Sequence, residues 1–216
     1  MIGWIQRVLD PQQRMSEVLF GLIMALTFTG SISAATEGRE EIRTALFAAL
    51  GCNLAWGIVD AVMYLLSIIT TRGRGLALTR QLQATTDRAA AHRVIAGALP
   101  EVVARLIRPE ELEHLRLGVA GMRELPKRAR LGKDDYLGAL GVFVLVAVST
   151  FPLVVPFMVM RDPVRALRTS HAIGLTLLFG VGWTLGRYSG QGAWRMGLSM
   201  VAVGVALVGL TIALGG

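Results

Sequence analysis

The residues with the clearest capacity for chemistry lie on one face of an apolar segment. Asp60 is the single charged residue between residues 44 and 71. Polar or small residues at spacings of three and four continue its helical face, namely Asn53, Gly57, Tyr64, Ser67 and Thr71. An ionised carboxylate in an apolar segment needs a protein interior, a wet cavity or a cation. We therefore predict a cation path along this face; a hydrogen bond that only fixes helix packing is the alternative.

Sulfur ligands and a second stripe extend this prediction. Met63 lies beside Asp60 and adds a soft donor suited to iron-like ions. An earlier apolar segment carries a matching stripe spaced four, three, three and four, formed by Glu17, Gly21, Met24, Thr27 and Ser31. We predict that Glu17, Asp60 and Met63 bind the metal, and that Met24, Thr27, Asn53 and Tyr64 also line the path.

A weaker candidate site lies between the apolar segments. Glu110 and His114 are four residues apart and share a helical face with neighbouring Glu113. Carboxylates with an imidazole suit a transition metal, although this spacing matches no established metal motif. The alternative is a solvated face on which Glu113 pairs with Arg116.

Five long apolar stretches must position these residues: 18–36, 44–71, 136–160, 169–186 and 196–216. A bilayer core needs about 20 helical residues, and the hydrophobic fraction of 53% exceeds that of soluble proteins. The predicted fold is an all-α integral membrane protein with five transmembrane helices and a small cytoplasmic helical module. Its parts are an interfacial N-terminal helix (1–16), spans one and two (17–71), the helical insert (72–135) and spans three to five (136–216).

Several local signals refine this layout. Pro152 and Pro156 predict a kink or an opening in the third span, where the freed carbonyl groups need partners from other helices. Gly182 and Gly186 form a GxxxG spacing that permits close helix approach. Pro100 and Pro109 suit the first positions of short amphipathic helices in the insert. A continuous helix is expected over residues 76–98.

Charge sets the expected orientation and partners. With the N-terminus inside, five crossings place 17 of the 22 basic residues on the cytoplasmic side. We therefore expect a multi-pass protein of a bacterial inner membrane, with the N-terminus and the insert cytoplasmic. The basic insert favours anionic lipid over nucleic acid, because no aromatic stacking platform accompanies its charge.

Enzymatic activity is disfavoured by the sequence. It contains no nucleophile elbow, phosphate-binding glycine loop or HExxH zinc motif. Its single cysteine, Cys52, excludes an intramolecular disulfide. No permanently bound cofactor is expected.

The last three spans carry a family resemblance. The segment Pro152-Leu-Val-Val-Pro156-Phe157, the pattern Gly182-Trp-Thr-Leu-Gly186-Arg187 and residues 195–200 are similar to the closing segments of the vacuolar iron transporter family. The resemblance implies a homodimer with five spans and a cytoplasmic metal-binding helical domain. It also implies proton-coupled export or sequestration of Fe²⁺ or Mn²⁺.

The first half departs from the family pattern. Glu17 and Phe20-Gly21 match the start of the family's first span, but Met24 stands where the family has an Asp. We hypothesise that Asp60 replaces that carboxylate from the opposite helix. The insert is also net basic, whereas the family's is rich in Glu and Met. The alternative function is therefore a non-transporting scaffold or regulator whose basic insert binds lipid or a partner.

Overall fold

The computed structural model describes residues 5–35, 39–122 and 124–214, with the backbone alone described at residues 6, 31–35, 39–46, 49 and 212. Every regular element in these ranges is helical. The helices are α1 (Ile5–Val8), α2 (Pro11–Ala35), α3 (Arg39–Ala84), α4 (Arg88–Ala98), α5 (Glu101–Leu106), α6 (Pro109–Ala120), α7 (Lys133–Ser149), α8 (Phe151–Val159), α9 (Pro163–Ser189) and α10 (Ala193–Ala213). The predicted all-helical class is confirmed.

Three stretches of the described helices are long and apolar enough to cross a bilayer. They are Leu50–Ala84 in α3, Lys133–Val159 across α7 and α8, and Ala193–Thr211 in α10. The two further crossings expected from the sequence fall in α2 and α9, which have 25 and 27 residues. Both helices exceed the length that a crossing needs. Neither is among the three stretches found in the described residues, so five crossings stay a prediction.

The third apolar segment is broken as its prolines predict. α7 ends at Ser149, Thr150 forms a turn, and α8 begins at Phe151 with Pro152 in its first turn. Proline lacks the N–H that would continue the helical ladder. The Ser149 hydroxyl donates to the carbonyl oxygen of Val146 at 2.8 Å, and the Thr150 hydroxyl donates to that of Ala147 at 2.8 Å. Side-chain hydroxyl groups thus supply hydrogen bonds to the last carbonyls of α7.

The chain divides into two compact units, Met1–Tyr64 with Lys133–Gly216, and Leu65–Gly132. In the first unit, leucines from three helices form the main core: Leu22 and Leu26 of α2, Leu153 of α8 and Leu178 of α9. A Cβ added at Gly182 would lie 2.8 Å from the carbonyl oxygen of Met196. The GxxxG pair therefore brings α9 against α10, as its spacing predicts.

The N-terminal residues pack on the first unit. Ile5 and Leu9 are buried against Val142 of α7. The sequence predicted an interfacial helix over residues 1–16, but the helix α1 ends at Val8, and Pro11 is the first residue of α2. A proline fits that position because the first turn of a helix has no intrahelical partner for its N–H groups.

The second unit has a small core of its own, centred on Leu82, Ala91 and Ile95. The helix expected over residues 76–98 is interrupted, because α3 ends at Ala84 and Asp87 caps a new helix, α4. Its carboxylate accepts hydrogen bonds from the N–H groups of Ala89 and Ala90, both at 3.1 Å. The unit boundary lies inside α3, between Tyr64 and Leu65, whereas the sequence placed the start of the insert at residue 72.

Candidate functional site

The polar stripe predicted on α3 is the packing face of this helix from Asn53 to Tyr64, whereas its last two members, Ser67 and Thr71, are exposed. Asn53 and Gly57 are buried, and Asp60 and Tyr64 are half-buried. The apolar residues that alternate with them are exposed: Leu54, Trp56, Ile58, Val59 and Val62. In an apolar window of 18 residues in α3, only 11% of the residues are buried within the chain. The polar face therefore meets protein and the apolar surface is left for lipid or another chain.

The partner of this face is α7. A Cβ added at Gly57 would lie 3.1 Å from a ring carbon of Phe143. The Tyr64 ring lies against Gly138 in the same way, so close that a side chain at 138 would collide with it. The absence of side chains at these two positions allows the polar face of α3 to approach α7 closely.

Asn53 makes the most specific contact between these helices. Its Nδ2 donates to the carbonyl oxygen of Val146 at 3.0 Å and to Thr150 Oγ1 at 2.9 Å. Its Oδ1 is buried and has no hydrogen-bond partner in the structure. One end of the amide therefore binds the break between α7 and α8, and the other retains a free acceptor.

The two predicted carboxylates come together from different helices. Glu17 of α2 lies close enough to Asp60 of α3 for their negative charges to repel each other. The Asp60 Oδ2 atom is buried and has no hydrogen-bond partner in the structure. A buried carboxylate oxygen without a partner, beside a second carboxylate, is stabilised by a cation or a proton.

A small cavity lies further along the same helices. It has a volume of about 20 Å³, which suits a single water molecule. Met24 and Thr29 of α2, Cys52 and Asn53 of α3, and Thr150 before α8 contribute to its wall. α2 and α3 are therefore neighbours at two positions along their lengths. Glu17 lies near Asp60, and Met24 lies near Asn53. Between these positions, the rings of Phe20 and Trp56 meet edge to face, with centroids 6.0 Å apart.

Two predicted path residues are placed differently. Met63 is 58% exposed, so the chain alone does not enclose its sulfur. Thr27 is half-buried, and its hydroxyl donates to the carbonyl oxygens of Ile23 and Met24, at 3.1 and 2.9 Å. Their roles in binding or lining a path stay predictions.

The candidate site in the insert has a different local structure from the one expected. Glu113 accepts hydrogen bonds from Arg116 at 2.7 and 3.0 Å, lies 2.9 Å from His92 Nε2 and is paired with Arg88 at 3.1 Å. The hydrogen bond from Arg116, aided by His92 and Arg88, lowers the pKa of Glu113 to about 2. The alternative pairing with Arg116 is thus formed.

The other two residues of that set are exposed. Glu110 and His114 both lie on the surface of α6. In the part of the chain that the structure describes, no three His, Cys, Asp or Glu side chains are grouped to hold a metal. Metal binding by Glu110, Glu113 and His114 stays a prediction.

The sequence reasoning missed one buried carboxylate. Asp135, in the first turn of α7, is 6% exposed. It lies three residues before Gly138, so it shares the face of α7 that Tyr64 contacts. The spacing of three between Asp135 and Gly138 could have indicated that Asp135 is buried. Its position just after the charged run of the insert instead favoured an Asp exposed to solvent.

A comparison with known families bears on this arrangement. The model of the VIT family matches residues 70–216. The chain belongs to the VIT family. This is the vacuolar iron transporter family that the last three spans resemble, and it is a family of transporters, not of enzymes. Among curated proteins, none matches the chain.

The limits of the match matter for the site. Asn53, Asp60 and all of α2 precede residue 70, so the VIT match does not include them. It covers α7, against which the polar face of α3 packs. VIT membership supports metal-ion transport across a membrane, and the residues proposed to bind the metal come from the unmatched part.

Proposed function

We propose that this protein transports a divalent metal cation, Fe²⁺ or Mn²⁺, out of the cytoplasm in exchange for protons. The observation that carries the proposal is the pair of carboxylates on facing helices, Glu17 and Asp60, with a buried Asp60 oxygen that has no partner. Membership of the VIT family supports the same class of activity.

The donor atoms suit a first-row divalent ion. Two carboxylates supply hard oxygen ligands, and the free Oδ1 of Asn53 adds a neutral one. The thioether of Met24, at the cavity with Asn53, adds a softer donor. Ions such as Fe²⁺ and Mn²⁺ accept oxygen ligands, and a thioether favours iron over calcium or magnesium. Met63 would join this set only if another chain covered it.

The same two carboxylates, Glu17 and Asp60, account for the proposed exchange of protons. A carboxylate that binds a proton loses the charge that holds the cation, so protonation of Glu17 and Asp60 competes with metal binding. An acidic compartment on the receiving side would then release the metal. Each cycle would return protons in the direction opposite to the metal.

Passage requires the helices to move. The cavity beyond the carboxylates has room for one water molecule, which is too little for a hydrated divalent ion. Separation of α2 from α3 would open it. The contact between these helices at Phe20 and Trp56 is made by two exposed rings, which is compatible with such a motion. The metal would move from the carboxylates to the level of Met24 and Asn53.

The assembly that this function needs has five crossings, with α2 and α9 completing the three already counted. We propose that the N-terminus and the basic insert are cytoplasmic, in a bacterial inner membrane. A homodimer would cover the exposed apolar surface of α3, which includes Met63.

The test is metal uptake into proteoliposomes loaded with a fluorescent chelator, with Mn²⁺ or Fe²⁺ outside and a proton gradient imposed. Asp60→Asn should lower the initial rate at least tenfold, because it removes charge at the proposed ligand. Asp134→Asn, at an exposed carboxylate in the first turn of α7, is the matched control and should keep the wild-type rate. Equal rates for Asp60→Asn and wild type would refute the mechanism, and no transport by wild type would favour the scaffold.

A further inference from the structure

A second, larger cavity is lined by α2 and α9, and neither Glu17 nor Asp60 contributes to its wall. Its volume is about 490 Å³, within the range of about 300–1,000 Å³ typical of ligand sites. One wall is the first half of α2, and the other is one face of α9 from Thr176 to Tyr188. We call this cavity the α2–α9 groove. At 1.5 Å per residue, that face of α9 extends about 18 Å.

The wall of the groove is apolar over most of its length. Val18, Leu145, Leu177 and Val181 supply hydrocarbon surface. The hydroxyl of Thr176 donates to the carbonyl oxygen of Ala172 at 2.7 Å and that of Thr184 to the carbonyl of Gly180 at 2.8 Å. These hydroxyls are therefore satisfied within α9 and do not make the wall polar.

A positively charged side chain, that of Arg14, lies at one end of the groove. Among the described residues that line it, Arg14 alone carries a charge. Its Nε is buried and has no hydrogen-bond partner in the structure. Tyr188 is the last residue of α9 that lines the groove. A buried guanidinium nitrogen without an acceptor is costly, and a phosphate is the anion whose geometry a guanidinium matches best.

We propose that the α2–α9 groove binds one anionic phospholipid, with an acyl chain along α9 and the phosphate at Arg14. The length of the groove is close to half of the roughly 30 Å hydrocarbon core, which is the depth of one leaflet. The charge complementarity at Arg14 selects an anionic headgroup over a zwitterionic one, and the apolar wall selects a lipid over a free phosphate. The wall of the groove includes neither Glu17 nor Asp60, so the proposal does not rest on transport.

The experiment is native mass spectrometry of the full-length protein, purified and exchanged into micelles that contain phosphatidylglycerol or phosphatidylcholine. Wild type should retain one phosphatidylglycerol and little phosphatidylcholine. Arg14→Gln should lower retention by about tenfold, since a hydrogen bond to a charged group is lost. Arg7→Gln, at an exposed arginine of α1, is the charge control and should keep the lipid.

A filling variant tests the groove itself. A Cβ added at Gly180 meets nothing within 4 Å, so Gly180→Leu should fold and occupy the space of the acyl chain. Retention should again fall by about tenfold. Gly209→Leu is the matched control, because Gly209 is equally open and lies outside the groove. If Gly180→Leu does not fold, Thr176→Leu fills the same wall from a neighbouring turn.

Three outcomes would overturn the proposal. Equal retention of phosphatidylcholine would remove the role of Arg14 in selecting charge. Displacement of the lipid by millimolar inorganic phosphate would show that the site binds a free anion. Unchanged lipid retention in Gly180→Leu, with a shift from dimer to monomer, would mean that a second copy of the chain fills the groove.

Discussion

Asn53 of α3 donates a hydrogen bond of 3.0 Å to the carbonyl oxygen of Val146, 93 residues later in the chain. The bond joins α3 to the last turn of α7, next to the break that the prolines impose. In a membrane such a carbonyl has no water to bond. One side chain therefore stabilises the break, while its Oδ1 remains without a hydrogen-bond partner.

Removal of this amide should destabilise the fold. Asn53→Leu keeps the branched shape of the side chain but loses both hydrogen bonds, so we expect the free energy of unfolding to fall by about 1–3 kcal/mol. The measurement is the unfolding midpoint in detergent, followed by circular dichroism. Thr184→Val is the control, since its exposed hydroxyl bonds only within α9. An unchanged midpoint for Asn53→Leu would show that the contact contributes nothing.

Gly21 should tolerate no side chain. A Cβ there would collide with Ser149 Oγ and lie 3.0 Å from the carbonyl oxygen of Val146. Gly21→Ala should therefore push α2 away from α7 and cost about 1–3 kcal/mol, the usual penalty for overpacking. Gly209→Ala, with open space around it, should be neutral or slightly stabilising in the same unfolding experiment. A Gly21→Ala protein as stable as wild type would contradict the close approach.

The two carboxylates should behave as a coupled pair. Without metal, Glu17→Gln removes repulsion from Asp60 and should raise the unfolding midpoint, whereas the same change after Asp60→Asn should have little effect. Neighbouring residues of this kind show coupling energies of about 0.5–3 kcal/mol. Added Mn²⁺ should raise the midpoint of wild type and not that of Asp60→Asn. Strict additivity would indicate that the charges do not interact.

Glu113 should hold α4 against α6 over a wide pH range. Because its pKa is lowered to about 2 from 4.5, its stabilising effect is complete above about pH 4.5 and is lost as the pH falls towards 2. Hydrogen exchange in α4 and α6, corrected for intrinsic rates, should thus be equally slow at pH 7 and pH 5. Glu113→Gln should speed exchange at both pH values.

The control for that experiment is Glu101→Gln. Glu101 pairs with Arg105 on the exposed surface of α5, and such surface pairs contribute little. Exchange in α4 and α6 should be unchanged in this variant. Protection that disappears already at pH 5 in wild type would contradict the pairing of Glu113 with Arg116, His92 and Arg88.

Helical spacing predicted the face of α3 because burial follows that spacing directly. Asn53, Gly57, Asp60 and Tyr64 recur every three or four residues, and only one side of the helix can meet protein. The break near Pro152 and the contact at Gly182 were predictable for a similar reason, since proline and glycine act on the backbone itself.

Contacts between segments that are distant in the chain were harder to predict from the sequence. Nothing local to Asn53 specifies that its amide reaches Val146, because that depends on how α3 lies against α7. The pairing of Glu113 with His92 likewise depends on the packing of α4 on α6. The cap at Asp87 was readable in principle, but the surrounding good helix formers favoured an unbroken helix.

Cys52 lies in the first turn of the apolar stretch of α3. It contributes to the wall of the small cavity, yet it is exposed. It is also the single cysteine of the chain. A thiol-reactive spin label or fluorophore would therefore attach at one native position beside Asn53. Its spectrum would report the separation of α2 from α3 during a transport cycle, without any engineered cysteine.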